Sequence, residues 1–263
     1  MQRRHSDRKV YFREQTETSR KFYIDYLSLY IKLSSGLRVL EVGCGEGGNL
    51  VPFAKSGCYV KGIDIASCRI EQAKCFFSQT GLKAEFISAD FLQTELPSDE
   101  NEKYDIILLH DVIEHVAKKR KLLARMGLFL KDGGIAFVCF PSWKMPFGGH
   151  QQIAHSFVLS HLPFVHLLPL QAYRSLLQIC HEKHDTIREL MNIRRHRMSI
   201  CQFEHLVKGC GYSLQQRTLW LINPHYEQKF GLRHRRLPCI LAKMRYIRDY
   251  LTTSCWYILT KTK

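Results

Sequence analysis

The sequence predicts an α/β fold with a mostly parallel seven-stranded sheet and helices on both faces. Three observations predict it. Apolar runs of strand length alternate with helix-period segments through the first 140 residues, as expected for βαβ units. The run Leu37-Arg38-Val39-Leu40 leads into Glu41-Val42-Gly43-Cys44-Gly45-Glu46-Gly47-Gly48, where glycines permit φ > 0 and let backbone amides approach a ligand. A second run ends in Gly62-Ile63-Asp64-Ile65, which puts a carboxylate where a ribose diol can be held.

In chain order, an amino-terminal helix is expected near 18–33, and strands near 37–42, 58–63, 83–88, 103–109 and 134–140. Helices connect them near 47–56, 66–80 and 115–130. Ser67 at the start of the second connecting helix and Gly81 beyond its end follow capping preferences. Lys131-Asp132-Gly133-Gly134 is a turn cluster that feeds the fifth strand. After Phe140 the alternation stops, and residues 141–150 have the punctuation of an ordered loop. Residues 151–198 look largely helical and strongly apolar. Ser199 starts a further helix closed by Gly209-Cys210-Gly211. A strand over 212–221, a basic insertion over 223–252 and a terminal strand over 254–259 complete the chain. The expected division is an amino-terminal helical segment (1–36), a ligand-binding core (37–140), an inserted cap (141–198) and a carboxyl-terminal completion of the sheet (199–263).

With 263 residues, 45% of them hydrophobic, the chain can fill one α/β core with additions. None of the ten cysteines forms a C-x-x-C pair, so they read as reduced thiols of a cytoplasmic protein. The charged start, Met1 to Lys9, is not followed by the apolar region of a signal peptide, and no transmembrane segment is expected. The formal net charge is +15, and between Arg188 and Arg248 there are 13 Lys or Arg against three Glu. Such a segment suits nucleic acid, phospholipid head groups or a phosphorylated substrate, or is a solvated face without a partner.

The glycine spacing is not the G-x-G-x-x-G of nicotinamide-binding units. An acidic residue precedes G-x-G-x-G at Glu41, Gly43, Gly45 and Gly47. Ser88-Ala89-Asp90-Phe91 follows the third strand, and Tyr104-Asp105 through His110-Asp111-Val112-Ile113-Glu114-His115 forms the fourth and its exit. Over residues 37–140 this series resembles the class I S-adenosylmethionine-dependent methyltransferases, which have a Rossmann-like fold. The resemblance implies that the glycine loop, with Cys44, passes along the methionine part of the cofactor, and that Asp64 holds the ribose hydroxyls. Asp90 would reach the adenine amino group, with Ile65 and Phe91 near the ring and His110 at the pocket. A cationic sulfonium and a neutral purine have no pyrophosphate to neutralise, so acidic side chains suit such a pocket.

Methyl transfer from a sulfonium demands alignment and a nucleophile freed of its proton. The candidates lie where strands four and five end. Asp111, Glu114 and His115 are spaced i, i+3, i+4 and would share one helix face, where two carboxylates and an imidazole could hold a divalent ion. The spacing resembles the E-x-x-E-H element of metal-assisted methyltransferases, including those of quinone synthesis and of small-RNA 2′-O-methylation, with Asp111 one methylene short. Alternatively Glu114 and His115 start a helix and bond locally. His150, after two glycines, is a candidate general base or additional ligand. Asp111, His115 and His150 are therefore the catalytic candidates. Trp143, Met145 and Phe147 wall a pocket or anchor the loop, while His155, His161 and His166 read as packing or surface residues.

The apolar 141–198 segment suggests a cover over a hydrophobic acceptor. With the basic region it points to a small-molecule or lipid-linked acceptor near a membrane surface, and to O-methylation. P-S-W-K-M-P-F-G-G-H-Q-Q together with L-I-N-P-H-Y-E-Q-K-F-G-L is similar to uncharacterised bacterial members of the same superfamily. Two alternatives stand beside this reading. One is RNA methylation through Arg194, Arg195, Arg197, Arg233, Arg235 and Arg236, whose surroundings lack the interleaved aromatics of a stacking platform. The other is a cofactor-binding protein without catalysis.

Overall fold

A computed structural model describes residues 7–262, so the first six residues of the amino-terminal segment lie outside the described residues. The strands are β1 Arg38–Val42, β2 Tyr59–Asp64, β3 Glu85–Ser88, β4 Tyr104–His110, β5 Leu130–Phe140, β6 Tyr212–Ile222, β7 Arg235–Arg236 and β8 Ser254–Lys261. They form one sheet in the order β3-β2-β1-β4-β5-β8-β6-β7. The first five pair in parallel, and β8 lies antiparallel to both β5 and β6. All seven expected strands are found. The eighth, β7, is a two-residue edge strand against Trp220 and Ile222, too short for any alternation to announce it.

The central strands β4, β5 and β8 are apolar over most of their length because both faces of the sheet are covered there. Leu40, Ile107, Leu109, Ala136, Val138, Tyr257 and Leu259 point to one core, shared with Leu123, Met126, Phe203 and Val207. Their alternates Val39, Ile106, Leu108, Ile135, Phe137, Trp256 and Ile258 point to the other, with Phe12, Tyr23, Leu50, Phe53 and Phe77. The period of two thus sorts one run of residues into two buried layers.

The second layer rests on the amino-terminal helices. Helix α1 (Arg8–Thr18) is capped by the Asp7 side chain, which accepts from the amides of Lys9 and Val10. It continues through a π turn, Ser19–Tyr23, into α2 (Ile24–Ser28). The helical run therefore begins ten residues before the sequence reading placed it, because the polar stretch Arg8–Thr18 presents few apolar positions of its own. Thr16 Oγ1 donates to the Gly48 carbonyl (3.1 Å) and Ser19 Oγ to that of Asn49 (2.8 Å), which ties this helical run to the chain just after the glycine loop.

Helices α3 (Val51–Lys55), α4 (Ser67–Ser78) and α5 (Lys119–Phe129) connect the parallel strands. The N-cap of α4 is Ala66, without a side-chain cap, so Ser67 does not cap it. The Ala66 amide is instead bound by Asp64 Oδ1 at 2.9 Å. Beyond β5 come α6 (Phe157–His161), α7 (Leu170–Ile179) and α8 (His184–Arg195). They close a small core of their own around Leu159, Val165, Tyr173, Leu177 and Leu190. Helix α9 (Ile200–Lys208) starts at Ser199 with a reciprocal bond to Gln202, a capping box. The basic insertion holds α10 (His225–Phe230), α11 (Cys239–Lys243) and α12 (Arg248–Leu251). All ten cysteines are free. Among the described residues no helix is long and apolar enough to cross a membrane.

Candidate active site

The glycine loop turns on left-handed backbone: φ is +73° at Gly43, +52° at Gly45 and +78° at Gly47. A Cβ on Gly43 would collide with the Val112 side chain, and one on Gly47 would lie 2.7 Å from the Phe86 ring. Only the Arg69 guanidinium, at 3.8 Å, comes near a Cβ built on Gly45, so a cradle is left there for a ligand. Asp64 closes the neighbouring strand end, its Oδ2 accepting from the Gly45 amide at 2.8 Å. Asp90 stands after β3, with Oδ1 bound to the Leu92 amide (2.9 Å) and Oδ2 to Gln93 Nε2 (3.1 Å). Ile65 is exposed beside Asp64, whereas Cys44 is buried and would contact any side chain at Gly62. Phe91 is buried and packs on Phe129 (4.9 Å between centroids) within the core. His110 ends β4 with Nε2 3.5 Å from Asp111 Oδ2. These donors, acceptors and glycines fit an adenosine-type ligand: a diol acceptor, a polar group for an amino-purine, and open backbone between them.

Glu41 lies beneath the loop, fully buried, with Oε1 accepting from Asn49 Nδ2 at 2.7 Å and Oε2 unpartnered. Burial pushes its pKa from 4.5 up to about 8. A carboxyl with a raised native pKa stabilises the fold below its unfolded value, and that contribution is lost as pH rises through the native one. In ligand-free protein, Glu41→Gln is therefore expected to raise the Tm by several degrees at about pH 9 and to leave it nearly unchanged at about pH 5. Thermal scans at the two pH values check this, and equal shifts at both would refute it. Glu46 in the same loop is also buried and is held by Arg8, whose Nε donates to Oε1 at 2.6 Å.

The exit of β4 departs from the helix expected there. Asp111 has φ +51°, a 3-10 turn spans Ile113–His115, and α5 begins only at Lys119. Asp111, Glu114 and His115 therefore share no helix face. The fold instead brings His150 in: ligand atoms of Glu114, His115 and His150 lie within 4.8 Å of one another, and the two imidazole centroids are 5.2 Å apart. Asp111 stands outside this trio, exposed at the chamber wall.

His150 also adopts left-handed backbone, φ +55°, a costly conformation for a non-glycine residue. Burial lowers the pKa of His150, and burial together with neighbouring His150 lowers that of His115, so both rings are neutral at pH 7. Both Glu114 carboxylate oxygens are buried without a partner, and burial, reinforced by Asp111, holds its pKa well above the usual range. Two neutral imidazoles facing an orphaned carboxyl fit a divalent cation.

The two glycines before His150 serve packing. A Cβ on Gly148 would run into the Trp143 carbonyl, and one on Gly149 into the His166 ring. His166 is buried, with Nε2 2.7 Å from the Trp143 oxygen, and Trp143 is buried edge-on against it. Trp143 thus anchors the loop, while Met145 and Phe147 face a chamber of roughly 330 Å3. His115, His150 and Asp111 open onto this chamber with Ile153, Ile193 and Glu189, and Arg8, Arg69 and Lys229 bring positive charge to it. Tyr11, Asn223, His225 and Tyr226 complete the wall. Nothing in the sequence marks Arg8, Tyr11, Asn223, His225 or Tyr226 as site residues; the N-P-H-Y phrase carries only a family similarity there. The outer apolar residues of the cap, Phe157 and Val158 among them, are exposed and do not line the chamber, whereas its Met145, Phe147, Ile153 and Ile193 do.

Residues 12–208 match the family model described as a methyltransferase domain. The ubiquinone biosynthesis O-methyltransferase of Chelativorans sp. is 34% identical over 128 residues, 49% of either chain. That of Bartonella quintana is 35% identical over 129 residues, 48% of this chain and 50% of the relative. The chain spans about half the length of the curated relatives it matches. Among solved structures, a putative sarcosine dimethylglycine methyltransferase from Galdieria sulphuraria aligns over 94% of this chain and 86% of its own, with a TM-score of 0.58 and 15% identity. The magnesium protoporphyrin IX methyltransferase of Synechocystis, solved with bound SAH, aligns over 95% and 84%, with a TM-score of 0.55 and 14% identity. These two structures share its fold, and the matched family model makes the chain a member of the methyltransferase-domain family, with the class I S-adenosylmethionine-dependent methyltransferase architecture.

Proposed function

We propose that this chain transfers the methyl group of S-adenosylmethionine to an oxygen of a small-molecule or lipid-linked acceptor seated in the chamber. The observation that carries the reading is the meeting of buried Glu114 with His115 and His150, the two imidazoles lining the chamber, on the carboxyl side of the sheet that holds Asp64 and the glycine loop. Likeness to proteins named O-methyltransferases supports oxygen as the methylated atom, and the ten free cysteines support a reducing compartment such as the cytoplasm. When bound, the cofactor supplies an electrophilic methyl on a sulfonium. The chain's own part is alignment and proton removal. Asp64 and the glycine loop orient the donor, and Met145 and Phe147 confine the acceptor. Neutral His150 would take the acceptor's hydroxyl proton as that oxygen accepts the methyl group.

With a divalent cation bound, Glu114, His115 and His150 would be its ligands; His150 would then serve as a ligand in place of the base, and the cation would add positive charge beside the acceptor oxygen. A carboxyl whose burial favours the protonated form gives up protons on becoming a ligand, while neutral imidazoles give up none. Manganese or zinc binding is therefore expected to release protons and to tighten as pH rises. Calorimetry in buffers of different ionisation enthalpy checks this, and binding without proton release would remove Glu114 from the ligand set.

The function itself is tested by transfer of labelled methyl from S-adenosylmethionine into a cell extract, separated into organic-soluble and nucleic-acid fractions, with and without chelator. Label in the organic fraction supports the reading. Label in RNA would make the arginine clusters the substrate surface, and cofactor binding without transfer to any fraction would favour a non-catalytic role.

A further inference from the structure

We propose that the outer face of the cap and the segment 239–251 together dock the protein on a bilayer surface bearing anionic head groups. The two segments are far apart in sequence, and each exposes apolar side chains. On the cap, Phe157 is 76% exposed, and Val158, Leu162, Phe164, Leu168 and Leu170 are exposed beside it in the chain. On the other segment Ile240 and Tyr246 are each 79% exposed, and Met244, Ile247 and Tyr250 are also open. The Phe164 and Tyr250 rings, 6.3 Å apart, join the two halves. Phe164 is held outward in left-handed backbone, φ +64°, by a 2.7 Å bond from its amide to the Pro146 carbonyl. Exposed apolar residues scattered singly are ordinary, but a contiguous face of them marks an interaction surface.

Charge selects the occupant. No Asp or Glu lies between positions 132 and 182, nor between 227 and 249. Lys144 sits over the Tyr250 ring at 5.4 Å, and Lys243 and Arg245 are exposed among the apolar residues. Lys243 and Arg245 also border a cleft of roughly 730 Å3 with Lys208, Arg217 and Arg248, where Glu204 pairs with only the last two. Asp249, the one acid in 239–251, is buried, so exposed apolar and tyrosine side chains with cations among them match a membrane interface, where the chains enter the acyl boundary and the cations meet head-group phosphates. The patch adjoins the chamber through Pro146, between Met145 and Phe147, so docking would bring the mouth of the chamber to the lipid. This route for the acceptor rests on the methyl-transfer reading, while the docking does not.

Flotation of the full-length protein with phosphatidylcholine vesicles, with and without phosphatidylglycerol, tests the inference. Binding is expected only with phosphatidylglycerol and should weaken as salt rises. The exposed pairs Phe157→Ser with Tyr246→Ser, and Lys243→Glu with Arg245→Glu, should each weaken it by about tenfold or more, with S-adenosylhomocysteine affinity and thermal stability unchanged. No partition into anionic vesicles, equal partition into neutral ones, or double variants that bind like the parent would overturn the proposal. So would a dimer in sedimentation that the Phe157→Ser, Tyr246→Ser pair dissolves without any vesicle binding, since the face would then belong to a second copy. Vesicle binding without methyl transfer would leave the docking intact and remove only the catalytic reading.

Discussion

Asp64→Ala is expected to weaken S-adenosylhomocysteine binding by about 100-fold or more, the loss of two charge-assisted hydrogen bonds to a ribose diol. The carboxylate already organises the site, because Oδ2 holds the Gly45 amide and Oδ1 the Ala66 amide. Removing it leaves both amides without their acceptor and frees the glycine loop from the end of β2. Asp64→Asn, which keeps one acceptor oxygen, should lose less. Gly43→Val should match the alanine variant by another route, since its backbone is left-handed and a Cβ there strikes Val112. Calorimetric titration measures all three, with circular dichroism as the control for folding. Parent-like affinity in Asp64→Ala or Gly43→Val would overturn the pocket assignment.

His150→Ala is expected to reduce methyl transfer by about 100-fold or more, the usual effect of deleting a general base, while cofactor affinity stays within about twofold of the parent. The two effects separate because His150 comes from the loop after β5 and none of its contacts reach Asp64 or the glycine loop. Substituting alanine also relieves little, since left-handed backbone is costly for alanine too. Single-turnover rates with saturating cofactor test the prediction, and an unchanged rate would remove His150 from the mechanism.

How much of this was legible in the sequence depends on what each segment is buried against. The parallel strands were readable because both faces are covered, so each stands out as an apolar run, and the glycine loop because its turns demand residues without a Cβ. The exit of β4 was misread for a specific reason. D-x-x-E-H carries neither proline nor glycine, so nothing in it signals that Asp111 turns left-handed and delays α5 to Lys119. The partnership of Glu114 and His115 with His150 joins residues 35 positions apart and could not be read from local spacing. The early start of α1 had a signal in Asp7, but the helix earns its place through side chains that hold Gly48 and Asn49, and those partners are tertiary. Cap composition could not say which apolar residues face the chamber, as Met145 and Phe147 do, and which are turned outward, as Phe157 and Val158 are.

The run of the last strands has a consequence for how such a protein can change. Since β8 is antiparallel to both β5 and β6, β5 and β6 point the same way, and the chain leaves both at one rim of the sheet. The segment after β5 and the segment after β6 therefore meet over the same opening, although the first belongs to the long helical crossover to β6 and the second to the return to β8. Variation can accumulate in either without disturbing a single strand pairing, so descendants of one scaffold can acquire new acceptors and new anchoring surfaces by exchanging two loops while the cofactor half is inherited intact.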